Sequence, residues 1–196
     1  MSRSGRFTFD LRTPHRFYKE LRLALAGEHQ IRNAALAVMA VETLERFPVS
    51  IDEVRRGLAS VRWPGRMEEF RAKRRTLTDG AHNPEGACLL AEHIRNLRAD
   101  HVHLVFAVMR DKDIRNMAKH LFPLADSIHL APLDNPRSAT PAEIEAIHPR
   151  FRPRMRSHIT SAEALHAAWK ECPKRGLVVV TGSLYLVGEI LPLLRT

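Results

Sequence analysis

From Phe70 onward the sequence alternates short apolar runs with helix-forming stretches, and this order of elements restricts the fold more than any other feature of the 196 residues. A strand is expected near Phe70–Asp79, a helix from Pro84 to Leu97 and a strand at Val102–Val108. Helices follow near Ile114–Leu121 and Ala142–Ile147, with a short strand at Ser127–Leu130 between them. A helix at Ala162–Lys170, N-capped by Ser161, then leads to the strongly apolar Leu177–Thr181 strand and a last helix around Leu184–Leu194. Such alternation predicts an α/β fold, a mostly parallel, doubly wound sheet of about 125 residues.

The front of the chain reads differently. Residues 1–26 mix charge with short apolar alternation, as in Phe7-Thr8-Phe9-Asp10 and Leu21-Arg22-Leu23, which suits strands or a hairpin. Asn33 to Phe47 is rich in Ala, Leu, Val and Met with no breaker before Pro48, a helix signal. A second helix is expected at Ile51–Leu58, with Ser50 as N-cap and Glu53 completing a capping box. Trp63-Pro64-Gly65 reads as a turn, which puts the main boundary around Arg66 to Phe70. Only the first few residues are expected to be disordered.

Composition narrows the function classes. No apolar run approaches the roughly 18 residues of a membrane span and no N-terminal stretch suggests a signal peptide, so a soluble cytoplasmic protein without a membrane partner is expected. Cys88 and Cys172 are the only cysteines and are far apart, suggesting neither a disulfide framework nor a zinc ribbon. His101 and His103 alternate at a strand start and read as strand-edge histidines rather than a metal site, so no metal ligand is assigned. The net charge of +9 raises the question of nucleic acid. The densest basic groups, Arg71–Arg75 and Arg150–Arg156, lack interleaved aromatics and any helix-turn-helix or RNA-binding signature, so no specific nucleic-acid partner is expected. A basic solvated surface, or one suited to anionic small molecules, is the better reading.

Ligands on doubly wound sheets sit beyond the strand C-termini. Four polar segments directly follow expected strands: Asp79–Pro84, Met109–Asp113, Asp134–Arg137 and Gly182-Ser183. In the first, a strand ends in a carboxylate and an imidazole precedes a helix start, which attracts anions. Asp79 there is able to bind ribose hydroxyls and His82 a phosphate or substrate. Equally, Asp79 or Asn83 caps the helix and His82 is an exposed loop residue. Ser183 lacks a Gly-x-Ser-x-Gly elbow and reads as a helix N-cap lining the cleft rather than a nucleophile.

Five segments in order carry a family resemblance. Asp79-Gly80-Ala81-His82-Asn83-Pro84 resembles the signature opening the C-terminal domain of folylpolyglutamate synthase/dihydrofolate synthases, amide ligases of the Mur ligase superfamily. Gly27-Glu28-His29-Gln30-Ile31-Arg32-Asn33-Ala34 is similar to the element closing that family's central ATPase domain, and Trp63-Pro64-Gly65-Arg66-Met67-Glu68 to its inter-domain linker. Asp111-Lys112-Asp113 looks like its Asp-Lys-Asp loop, and Thr181-Gly182-Ser183-Leu184-Tyr185 its last helix entry. By position, the resemblance implies that Asn33 contacts adenine, Arg66 reaches ATP phosphates, Asp79 binds ribose and His82 lines the same cleft. Arg66 and His82 are thereby the expected catalytic groups, since a guanidinium supplies fixed positive charge to a transferring phosphoryl group. Asp134-Asn135-Pro136-Arg137 resembles an element with which some Mur ligases hold the incoming amino acid, or is simply a Pro-containing turn. Lys112 either balances substrate acid groups or pairs with Asp111 and Asp113.

The resemblance implies ATP and Mg²⁺ as cofactors, with glutamate and folate as substrates, in a reaction that activates a carboxylate as an acyl phosphate before glutamate attacks. That chemistry needs a P-loop, and no Gly-x-x-x-x-Gly-Lys-Ser/Thr segment is present. The expectation is therefore a tail of the central domain at 1–62 joined to a C-terminal Rossmann-like domain at 63–196. Alone it is expected to be inactive, binding adenine nucleotide weakly and closing on a P-loop-bearing N-terminal half. A truncated piece, a split-gene product and a degenerate copy all fit. The alternatives are a non-catalytic binding or regulatory module on the same fold, and part of another Mur-type ligase.

Overall fold

The computed structural model describes residues 7–71 and 73–195, and the chain divides after Arg66 into two compact units. The disorder expected of the first few residues falls outside the described ones.

In the first unit, β1 (Phe7–Arg12) and β2 (Phe17–Leu23) pair antiparallel, as the alternating sequence predicts. The register slips between Phe9 and Leu11, opposite Glu20, which sits at φ 51° with its amide donating to the Asp10 carboxylate. This irregularity explains how Tyr18 and Leu21, three residues apart, are both fully buried on the inner face. Helices α1 (His29–Glu42) and α2 (Ile51–Ser60) supply Val38 and Val54 to the same small core. The reciprocal cap of α2 forms as expected: Ser50 Oγ accepts from the Glu53 amide and Glu53 Oε2 from the Ser50 amide. Helix α1 departs from the expected Asn33–Phe47. It begins at His29, two residues after Gly27 turns the chain at φ 97°, and ends at Glu42, where the Thr43 hydroxyl donates to the Ala40 carbonyl. The Thr43 and Leu44 amides there bond to the Ala40 and Val41 carbonyls, three residues back, so the last turn tightens and the helix closes earlier than propensity alone indicates.

The second unit, from Met67, is built on a six-stranded sheet. The expected strand Phe70–Asp79 is in fact an antiparallel pair, β3 (Glu68–Arg71) and β4 (Arg75–Asp79), turning through basic residues that carry no Gly, Pro or Asn signal. Then follow α3 (Pro84–Leu97), β5 (Val102–Phe106), α4 (Ile114–Leu121), β6 (Ser127–Leu130), α5 (Pro141–Ile147), β7 (Met155–Ser157), α6 (Ser161–Glu171), β8 (Leu177–Thr181) and α7 (Leu184–Leu194). Most of these match the expected spans to within two residues. The three-residue β7 is additional, too short to give a periodic signal. The cap of α6 is Thr160, whose hydroxyl accepts from the Glu163 amide, so Ser161 is the first helical residue rather than the cap.

The sheet order is β3-β4-β8-β5-β6-β7, with every pair parallel except β3-β4. Connections from β4 through β5 and β6 to β7 run one way across the sheet, and β8 returns between β4 and β5. Right-handed crossovers then put α3, α4 and α5 on one face and α6 on the other. The packing agrees, since α4 contacts α3 and α5, whereas α6 contacts α7 and lies on β5, β6 and β8. Strands β5, β6 and β8 are buried along their whole length, as strands covered on both faces must be. Val105, Val178 and Val180 pack with Leu165, Trp169, Leu186 and Ile190 on the α6–α7 side.

The return of β8 creates a tight crossing. Gly182 lies at φ 112°, and a Cβ there would stand 2.4 Å from the Ala107 carbonyl oxygen and 2.9 Å from the Phe106 ring. Gly182→Ala is expected to destabilise the second unit by roughly 3 kcal/mol, from strained backbone plus the forced shift of neighbours. Urea unfolding followed through the buried Trp169 measures it, and an unchanged midpoint would mean that the crossing relaxes freely.

Candidate functional site

Because β4, β8, β5 and β6 run parallel, their C-terminal ends share one rim, and the four polar segments singled out in the sequence all emerge there. Asp79 ends β4 and is only 5% exposed. Its Oδ1 accepts from the Ala81 amide at 2.8 Å and its Oδ2 from the Met67 amide at 3.0 Å. A buried carboxylate needs such donors. The second bond also holds Met67, a non-glycine residue at φ 46°, in the left-handed conformation. Asp79 therefore organises backbone on both sides of itself and does not cap α3. The cap is Asn83, whose Oδ1 accepts from the Gly86 amide ahead of Pro84 at the first helical position.

His82 is half-buried, with Nδ1 2.9 Å from the Gly80 carbonyl oxygen. A carbonyl only accepts, so Nδ1 carries the proton and Nε2 of the neutral ring remains an acceptor. On the neighbouring strand Thr181 pairs in register with Asp79, and its hydroxyl is buried without a hydrogen-bond partner. Two residues on, Ser183 is buried and caps α7 by accepting from the Tyr185 amide at 3.1 Å. Asp79, His82 and Ser183 are thus gathered at two adjacent strand ends.

Lys112 and Arg137 come together differently. They follow β5 and β6, and both bind one carboxylate, Asp111: Arg137 Nη2 donates to Oδ1 at 3.0 Å and Lys112 Nζ stands 3.3 Å from Oδ2. The Arg137 hydrogen bond, then that of Lys112, holds the Asp111 carboxyl below its usual range. Asp113 is not part of this group. It caps α4, accepting from the Asn116 amide, so the expected pairing of Lys112 with both aspartates reduces to Asp111 alone. The two loops are further joined where the Arg110 amide donates to the Arg137 carbonyl and the Arg110 guanidinium binds Glu143 and the Ser138 carbonyl. Sequence reasoning left Asp111 and Arg110 out of the site. Their partners are 26 and 33 positions away, and no local pattern reports such a pairing.

In the first unit, Asn33 lies in the second turn of α1, exposed, donating to Gln30 Oε1 at 3.0 Å. Arg66, the last residue of that unit, is half-buried and makes no ion pair among the described residues.

With this geometry in hand, comparison with known proteins places the chain. Residues 65–184 match the model of the Mur ligase glutamate ligase domain. A dihydrofolate synthase/folylpolyglutamate synthase of Bacillus subtilis is 32% identical over 198 residues, covering 93% of this chain and 43% of that protein. A Mycobacterium tuberculosis folylpolyglutamate synthase solved with ADP superimposes with a TM-score of 0.81 at 30% identity, over 92% of this chain and 43% of that one. Escherichia coli FolC in complex with DHPP and ADP gives 0.79 at 28% identity, over 94% and 43%. The chain thus spans about two fifths of the length of these relatives. Matched in its glutamate ligase domain, in sequence and in fold, it belongs to the folylpolyglutamate synthase/dihydrofolate synthase family of Mur ligases, corresponding to the C-terminal portion.

Proposed function

We propose that this chain is the C-terminal part of a cytoplasmic, ATP-dependent amide ligase that adds glutamate to folate or dihydropteroate through an acyl phosphate, and that it supplies nucleotide and amino-acid contacts. The observation that carries this reading is the group at the ends of β4 and β8, where a buried carboxylate, a half-buried imidazole and an orphan hydroxyl meet at the rim on which parallel sheets bind ligands. The donor set fits a nucleotide. Asp79 is suited to ribose hydroxyls, and His82, its Nδ1 tied to the Gly80 carbonyl, would contact the nucleotide or substrate through Nε2. Arg66, without an ionic partner among the described residues, would set positive charge against the transferring phosphoryl group. Asn33 would face adenine. When bound, ATP supplies the phosphoryl group that activates the carboxylate. The rim gathers no trio of carboxylates or histidines among the described residues, so the Mg²⁺ ligands are assigned to the P-loop-bearing half.

For glutamate, Arg137 and Lys112 offer two cations against one carboxylate. The surplus positive charge favours a dicarboxylate amino acid, and Arg137, 69% exposed at its side chain, is able to turn toward it. Ser183 lines the neighbouring strand end.

The first unit supports a P-loop-bearing partner. Helix α1 buries Ala34 and Val38 yet exposes Leu36 (65%) and Met39, and the segment beyond it exposes Leu44 and Phe47 (71%). A helix apolar on several faces belongs inside a larger core.

Two outcomes test the proposal. Calorimetric titration of Mg-ADP should show weak binding to the chain, weakened about tenfold or more, or roughly 1.4 kcal/mol, by Asp79→Ala or Arg66→Ala in variants that still unfold cooperatively. No binding either to the chain or to its mixture with a P-loop-bearing half would overturn the nucleotide role, and ATP-dependent glutamylation by the chain alone would overturn the half-enzyme reading. Second, Arg137→Ala should raise the Asp111 titration midpoint toward the ordinary carboxylate range, as read by carboxyl NMR. The Arg137–Asp111 pair persists above that depressed midpoint and is lost as pH falls through it. An unshifted midpoint would mean that Lys112 alone holds Asp111 ionised and that Arg137 is free for other work.

A further inference from the structure

A second polar group, which the proposed ligase does not use, starts at the N-terminal ends of β5 and β6. His103 and Ser127 pair in register, and His129 follows two residues after Ser127 on the same face. Val105 and Ala131, which continue this face, pack against α6, and Glu171 at the end of α6 completes the group. His103 is 7% exposed and His129 fully buried, whereas the Glu171 side chain is 43% exposed, so the group has a protein side and a solvent side. One ring nitrogen from each histidine and one carboxylate oxygen all lie within 4.8 Å of one another.

Protons alone leave the group incomplete. His158 Nε2 lies 3.1 Å from His129 Nδ1, His129 Nε2 lies 3.2 Å from Ser127 Oγ, and Ser127 Oγ donates to Glu171 Oε2 at 3.3 Å. That chain satisfies its own members but leaves His103 Nδ1 buried with no hydrogen-bond partner. The His103 and His129 rings stack with centroids 6.0 Å apart, and burial pushes His129 down to about 4 and His103 in the same direction. Both rings are therefore neutral at physiological pH, with lone pairs to offer.

We propose that His103, His129 and Glu171 form a binding site for a divalent transition-metal ion of the Zn²⁺ class. Two imidazoles and a carboxylate suit such borderline ions, whereas Mg²⁺ and Ca²⁺ require oxygen ligands throughout. Metal–ligand bonds of about 2.0–2.2 Å bring ligand atoms to roughly 3–4 Å from one another. Closure therefore asks for a shift of the order of 1 Å, which the solvent-facing Glu171 is free to make. His129 Nδ1–H would then donate to His158 Nε2, the outer partner that fixes the ligating tautomer. Water would fill the coordination positions on the solvent side. The ion would tie β5 and β6 to the end of α6, at a distance from the nucleotide chemistry.

The test is calorimetric titration of Zn²⁺ into the chelator-treated chain, with thermal unfolding in parallel. One equivalent should bind and raise the melting temperature. Glu171→Gln and His103→Asn should each weaken binding about tenfold or more and remove the thermal shift. His166→Asn, an exposed histidine elsewhere on α6, should change neither. Because Glu171 is solvent-facing, its amide variant reports on the site without disturbing the core. Absence of stoichiometric binding, or binding that Glu171→Gln leaves intact, would overturn the proposal and leave the hydrogen-bonded chain from His158 to Glu171 as the whole function of the group.

Discussion

The carboxylate of Asp79 is the constraint on which the rim depends. A polar group 5% exposed at the end of an interior strand needs donors, and it takes them from backbone on both sides. One bond closes the turn that leads into α3, and the other holds Met67 in a conformation that side chains avoid. The entry of the chain into the second unit and the start of its first crossover helix are therefore fixed by one side chain. The carboxylate proposed to receive ribose is thus positioned by the fold itself, with no flexible linker between structure and function.

The legibility of the fold in the sequence follows the physics of each element. Helices α3, α4 and α7 and strands β6 and β8 were expected at their observed limits, because Asn83, Asp113 and Ser183 cap helices that begin directly after them and the strands are continuous apolar runs. The failures lie where no local signal exists. The β3–β4 reversal turns through lysine and arginine, and β7 is three residues held in place by β6. For α6, two adjacent hydroxyl residues compete for one cap, and the choice of Thr160 rests on the Glu163 amide three residues on.

The candidate site divides along the same line. Asp79, His82 and Ser183 were legible because each sits at a strand end, a position that topology alone brings to the rim. The Asp111 cluster and the His103–His129–Glu171 group were not. Both join residues from separate crossovers, and only the order in which β5, β6 and α6 are laid against one another makes them neighbours. His103 alone in the sequence is a strand-edge histidine. His129 and Glu171 make it part of a constellation.

Charged side chains at the surface differ in what they are paired with. Pairs such as Arg75–Glu69 and Arg110–Glu143 lie at the surface, where solvent screens them. At the rim, Lys112 and Arg137 share Asp111, and the cluster keeps one net positive charge while every member already has a partner. In the proposed glutamate site such an arrangement would hold the cations ready for an anion and lower the ordering cost at the moment of binding. There an incoming carboxylate would exchange with Asp111 for Arg137, whose carbonyl is tied to the neighbouring loop by the Arg110 amide.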